Sequence, residues 1–218
     1  MCRRLLNSRG IGLVCAVAAA GALITGCGND DKEVGRTGAD TGTTRASTTS
    51  SASAGNLTDD QAERKALVPK AKVGYDKALD TAVKAVDGSK PVSIELKGPA
   101  DKPGWDAKVA TDDGTERTLR VDAVTGKAGK AQADSDQDSD DKQELAGRLS
   151  KAKVTPQQAV ETATDKTKGT VTSVELDDTD QGKPVWSVDV VTTKDWNKTT
   201  YDIDATDRTV LRKHTDRD

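Results

Sequence analysis

Apolar residues Ala78, Leu79, Ala82, Val83 and Val86 fall on one helical face over residues 75–86, and Asp87-Gly88 closes the run. Three alternating runs follow it. Val92, Ile94 and Leu96 point one way, then Trp105, Ala107 and Val109, then Arg117, Leu119 and Val121 with Arg117 at the edge. Asp113-Gly114, between the second and third runs, is a hairpin cue because glycine accepts the positive φ such turns require. A shorter helix precedes the set. Thr58-Asp59-Asp60-Gln61 reads as a capping box, and Pro69 stops the helix just after residue 68. The order then recurs. Thr155-Pro156-Gln157-Gln158 opens a helix with Ala159, Val160 and Ala163 on one face. Val174 and Leu176, then Trp186, Val188 and Val190, then Tyr201 and Ile203 supply the inward sets of three strands, and residues 209–212 read as a last short strand.

The recurrence is a duplication. Lys70-Ala71-Lys72-Val73 returns as Lys151-Ala152-Lys153-Val154, 81 positions later. Asp59, Asp60 and Glu63 match Asp140, Asp141 and Glu144 upstream; Ala78, Thr81 and Ala82 match Ala159, Thr162 and Ala163 downstream. Trp105 matches Trp186, and Val121-Asp122-Ala123 matches Ile203-Asp204-Ala205. Repetition at this period means two copies of one folding unit. The predicted fold class is α+β: two tandem copies of a helix packed on a three- to four-stranded antiparallel sheet, after a disordered N-terminal tether. The predicted boundaries are 1–26 for a leader, 27–57 for the tether, 58–130 for repeat 1, 131–149 for an acidic linker with a short helix, and 150–218 for repeat 2.

Composition narrows the core. Aromatics are 2% and Phe is absent, so each repeat has only Val, Ile, Leu and Ala around one or two Trp or Tyr. Units this thin lean on each other or on a partner. The leader has Arg3, Arg4 and Arg9 before an apolar stretch over 11–24, which is secretory in length and short for a membrane span. Without those arginines, 30 basic residues face 36 acidic ones, a net charge of −6, and no basic stripe invites nucleic acid. Leu23-Ile24-Thr25-Gly26-Cys27 resembles the bacterial lipobox, which implies diacylglycerol on Cys27, cleavage before it, and an amino terminus acylated with a fatty acid such as palmitate. The competing reading is an ordinary signal peptide with an incidental Cys. Two or three chains anchor firmly where one does not. Cys2 and Cys15 leave with the leader and Cys27 is consumed, so no thiol is left for a disulfide, a metal or a nucleophile. Residues 28–56 are Gly, Thr, Ser, Ala and Asp with almost nothing apolar, the composition of a flexible stalk.

The unit resembles the PepSY family. The likeness rests on the Ala-rich helix, the strand with Trp105, and the closing phrase Val121-Asp122-Ala123-Val124-Thr125-Gly126, where Asp122, Ala123, Thr125 and Gly126 match the family's turn. It covers roughly 66–127 and 154–212. In the second copy Asp207 is read as standing where the glycine belongs. Such domains occur in secreted proteins, among them metallopeptidase propeptides. The resemblance implies no catalytic activity and a role in restraining peptidases.

The search for chemistry agrees. The single His, His214, sits in a charged tail, and a Ser nucleophile lacks a conventional base. No catalytic residue, resident metal or cofactor is assigned. Asp134, Asp136 and Asp138 alternate like the first ligands of a calcium loop, but Ser139 stands where Gly is needed and Leu145 where Glu is needed. The bland alternative is a solvated linker. Trp105 and Trp186 read as core, with ligand stacking the alternative. Asp122 and Asp204 read as acceptors for backbone N–H groups in their turns. Trp196, beside Asp195 at the second hairpin tip where the first copy has Gly114, reads first as locally packed, with an exposed partner-binding anchor as the alternative. The leading expectation is therefore a non-enzymatic binding module on the outer face of the cell membrane, anchored through Cys27, with an envelope or secreted protein partner such as a peptidase. The alternatives are an extracytoplasmic sensor for a cation or small ligand, and a passive envelope spacer.

Overall fold

The computed structural model describes residues 57–216. The leader, Cys27 and residues 27–56 of the expected tether lie outside the described residues. The first copy comprises α1 (Asp59–Leu67), a 3-10 turn (Val68–Lys70), α2 (Tyr75–Lys84), β1 (Lys90–Lys97), β2 (Gly104–Ala110), β3 (Glu116–Asp122) and a two-residue β4 (Gln132–Ala133). The second comprises α3 (Ser139–Lys151), α4 (Pro156–Lys166), β5 (Thr170–Asp178), β6 (Pro184–Val191), β7 (Lys198–Asp204) and β8 (Val210–Asp216).

The capping box predicted at Thr58 forms, and a second one forms at Thr155. The Thr58 and Thr155 hydroxyls accept from the N–H groups of Gln61 and Gln158, whose side chains accept from the Thr58 and Thr155 N–H groups in return. The predicted linker differs. Residues 139–151 form the 13-residue α3, capped by Asp138, which is the second copy's counterpart of α1. Its apolar signal is thin because only Leu145 and Leu149 turn inward. The last strand is also longer than predicted, running to Asp216.

The two expected sheets are one. Its eight strands lie in the order β4-β3-β2-β1-β5-β6-β7-β8, every neighbouring pair antiparallel. The copies meet at β1 and β5, where Ser93 faces Glu175, Ile94 faces Val174 and Glu95 faces Ser173. Ile94 and Val174 are equivalent positions, each two before the Leu that pairs with the copy's Trp. An approximate two-fold axis therefore passes between them. Ile94, Ala107 and Leu119 line up across one copy; Val174, Val188 and Tyr201 line up across the other. All six are at most 2% exposed, so they form one buried layer, which α2 covers over β1–β3 and α4 over β5–β7. Two cores too thin to stand alone are merged into one, which lowers the exposed fraction of each.

The repeated Lys-Ala-Lys-Val phrase has a structural job. The N–H groups of Lys72 and Val73 both donate to the Ala123 carbonyl, and those of Lys153 and Val154 to the Ala205 carbonyl. The carbonyls of Val73 and Val154 each accept the indole N–H of their copy's Trp, Trp105 and Trp186, at 2.8 Å. The phrase thus ties the connector before each main helix to the end of that copy's third strand. Trp105 and Trp186 are core residues, 1% and 3% exposed.

Candidate functional site

Two hairpin tips, two closing turns and the sheet's outer edges are where the copies differ. In the first hairpin Gly114 takes φ +81 and its N–H donates to the Thr111 carbonyl. In the second, Trp196 occupies the matching place at φ +59 with its N–H on the Thr192 carbonyl. An aromatic in left-handed backbone is costly and needs support from its surroundings. The support comes from α1 of the other copy. Arg64 Nε donates to the Trp196 carbonyl at 2.7 Å, and Gln61 Nε2 donates to Asn197 Oδ1 at 2.8 Å. Arg64 also faces Asp216 at the end of β8.

These contacts bear on Trp196. The Trp196 side chain is half-buried and packs against the core rather than standing free at the tip, because α1 lies beside the turn. Asp195 next to it is exposed, and its carboxylate accepts from the Thr192 hydroxyl and from the N–H and side-chain amide of Asn197. The first hairpin is clasped reciprocally. Gln137 Nε2 donates to the Gly114 carbonyl, and the Glu116 N–H donates to Gln137 Oε1. Each copy's leading segment therefore grips the other copy's hairpin across the joint. Sequence reasoning missed Gln61, Arg64 and Gln137, because nothing in their local pattern marks a contact more than 20 residues away.

The closing turns hold Asp122 and Asp204 as expected. Asp122 Oδ1 accepts from the N–H groups of Val124 and Thr125 and from the Thr125 hydroxyl; Asp204 Oδ1 accepts from the Thr206 N–H and hydroxyl. Asp204 is fully buried, and its other oxygen meets the Lys183 ammonium. The left-handed residue is Gly126 in the first copy and Arg208 in the second. Arg208, not Asp207, thus takes the glycine's place. Its guanidinium is held by Glu161 and Thr162 of α4, which offsets the backbone strain.

These carboxylates give the fold an acid limit. The Thr111 hydroxyl, with the Thr115 N–H and hydroxyl, holds Asp113 at about 2. Thr125 lowers Asp122, first through its N–H and then its hydroxyl, and the Thr192 hydroxyl lowers Asp195. Burial works to raise Asp204, but Lys183 and Thr206 outweigh it and leave it lowered. Groups with a depressed folded pKa contribute stability above their unfolded value near 4, and that contribution is lost as pH falls through the folded value. The thermal midpoint is expected to drop between pH about 4 and about 2. Asp113→Asn should flatten that slope in a melting series, whereas an unchanged slope would remove Asp113 from the explanation.

Asp134, Asp136 and Asp138 do not converge. Asp134 accepts from the Asp136 N–H, while Asp138 faces the other way to cap α3. Among the described residues no three His, Cys, Asp or Glu side chains gather into a set that could hold a metal ion. No described helix is long and apolar enough to cross a membrane.

The sheet edges are unequal. β4 is two residues long, and the chain leaves it for α3. β8 is seven residues long and mostly exposed, and among the described residues it pairs only with β7. Leu211 is 44% exposed on it, and Arg212 reaches back to Asp202.

Comparison with known proteins follows the duplication. The profile of PepSY, described as "Peptidase propeptide and YPEB domain", matches residues 72–128 and 153–214. Two solved structures are similar. CD1622 of Clostridium difficile 630, provisionally a lipoprotein, is 23% identical with a TM-score of 0.43, over 66% of this chain and 94% of that one. The YpmB protein from Bacillus subtilis is 16% identical with a TM-score of 0.28, over 66% and 98%. A comparison with curated proteins finds no match.

Proposed function

This chain belongs to the PepSY family, and from that premise we propose that it is a non-enzymatic extracytoplasmic module that binds a secreted or envelope protein and restrains a peptidase. Lipid on Cys27 holds it at the outer face of the cell membrane. The observation that carries the reading is the open edge of β8. A strand edge presents alternating unpaired N–H and C=O groups, which an extended segment of a partner can complete. Arg212 and Lys213 on that edge discourage indiscriminate pairing, as edge charges do, and favour an acidic partner strand. The hairpin holding Trp196 and exposed Asp195 lies at the start of β7, next to the end of β8, and extends the same surface.

A photo-crosslinking side chain placed at Leu211, at Asp195, or at the exposed Val124 of the first closing turn tests this in intact cells. The first two positions are expected to form an adduct with a secreted or envelope protein, and Val124 is not. Adducts at no position, or equally at all three, would favour a passive spacer. Cys27→Ser should move the protein out of the membrane fraction. If it stays bound, the lipid is not its anchor. The captured partner's peptidase activity should fall when the protein is added. Unchanged activity would leave a binding module without the restraining role.

A further inference from the structure

The sheet has a second face. α2 and α4 cover one side, and the side chains that alternate with the buried ones point to the other. Lys97 follows buried Leu96, Lys108 lies between Ala107 and Val109, and Arg120 lies between Leu119 and Val121, so all three stand on this open face. Each touches a carboxylate of its own copy, Glu95, Glu116 and Asp106 respectively, yet they remain 53%, 45% and 41% exposed.

The duplication gives each of them a counterpart. Leu96 and Leu176 pair with the two Trp residues, so Lys97 corresponds to Asp177. Lys108 and Asp189 each stand three residues after their copy's Trp. Arg120 and Asp202 each stand one residue before the Val121 or Ile203 that faces that Trp. All three cations of one half are therefore aspartates in the other. Asp177 is exposed and has no ion-pair partner among the described residues. Asp189 lies 3.6 Å from Lys198, and Asp202 lies 2.6 Å from Arg212. Glu175, beside the seam, also has no ion pair among the described residues. Its carboxyl is pushed up by burial and then by Asp177, so negative charge is in surplus there.

The reversed positions are related by the approximate two-fold axis, which makes the face its own complement. When two copies lie face to face about a two-fold axis between them, the cationic half of each covers the acidic half of the other. The three reversals are then matched twice. Ser93 and Ser173 at the seam are short, so the faces can approach at their centre. The six strands from β3 to β7 span about 29 Å and their seven residues about 23 Å, a footprint of about 650 Å² per copy. A standard stable interface takes about 800 Å² from each partner, so the face is large enough for a modest one. A different protein would have to reproduce the same division of charge, whereas a second copy carries it already.

We propose that the open face of the sheet is an interface between two copies of this chain, paired face to face with the cationic half of each on the acidic half of the other. The outer edge of β8 stays free in this pairing, so the inference does not depend on the role assigned to that edge.

Disulfide trapping in intact cells tests it, since the mature chain is expected to have no free thiol of its own. Ser173→Cys, beside the seam, is expected to trap a species of twice the chain's mass under mild oxidation, and Val124→Cys, on the exposed first closing turn, is not. Reversing Lys97, Lys108 and Arg120 together to Asp in the Ser173→Cys background makes both halves acidic and should abolish the trapped dimer. Reversing Asp177, Asp189 and Asp202 to Lys as well should restore it. Should the triple variant fold poorly, Asp177→Lys alone, at an exposed position with no ion pair to lose, is expected to lower the yield severalfold. Absence of a dimer with Ser173→Cys, or its capture of a different protein instead, overturns the proposal. Equal yields from Ser173→Cys and Val124→Cys, or an undiminished yield in a folded reversal variant, also overturn it.

Discussion

Trp105→Ala is expected to destabilise the protein by about 3–5 kcal/mol, enough to consume much of a small domain's net stability. The side chain is 1% exposed, so its removal leaves a cavity in the core. It also strands the Val73 carbonyl, which accepts the indole N–H at 2.8 Å. That carbonyl belongs to the connector whose N–H groups grip Ala123, so the loss spreads from the core to the closing turn. Trp105→Phe keeps most of the volume and loses the hydrogen bond, so it should cost less, with about 1 kcal/mol from the bond itself. Urea denaturation followed by circular dichroism measures both. Because the buried layer is continuous across β1 and β5, a single transition is expected, with the two copies unfolding together. A Trp105→Ala protein within 1 kcal/mol of the parent would mean that the indole clamp does not hold the fold.

The second large effect is at Gly114. A Cβ there would lie 1.9 Å from the Lys142 carbonyl oxygen and 2.7 Å from its carbon, both backbone atoms of α3. The residue also sits at φ +81. Gly114→Ala is expected to cost about 2–5 kcal/mol, the sum of left-handed strain and overpacking, and to lift the start of α3 from the hairpin. Gly182→Ala is the control. Its φ is +70 but nothing lies within 4 Å of the added carbon, so only about 1–2 kcal/mol of strain is expected. Hydrogen exchange at the start of α3 should quicken in Gly114→Ala and not in Gly182→Ala. Equal destabilisation of the two variants would show that the close approach to α3 is unimportant.

Much of this architecture was legible before any coordinates, and the reasons are local. The strand sets ending in Leu96, Val109 and Val121 alternate strictly, and the capping boxes at Thr58 and Thr155 are written within four residues each. The Trp positions followed from the repeat. What the sequence hid depends on distant partners. Nothing in β1 or β5 announces that Ile94 will face Val174, since either strand could equally have ended a sheet. A short helix is expected within 131–149, but the full length of α3 was obscured because its start, Ser139-Asp140-Asp141-Lys142, is wholly polar, a composition shared by linkers and helix caps. Arg208 in the glycine position could have been found by counting from Asp204, as Gly126 is counted from Asp122. The clasp on Trp196 could not, because Arg64, which meets its carbonyl, lies 132 residues away. The legible part of the candidate site is thus its turn chemistry. The illegible part is which turn meets which helix.

The seam between β1 and β5 is only three residue pairs long, less than separate molecules would need to stay together in dilute solution. Here the halves are covalently linked, so each meets the other at a fixed effective concentration. Dilution cannot part them. A protein made in few copies therefore keeps its paired architecture as fully as an abundant one. Freed from any need to be identical, the halves can also differ: one ends its sheet in the stub of β4, the other in β8. Symmetrical partners could not finish one edge in a two-residue strand and the other in a seven-residue one.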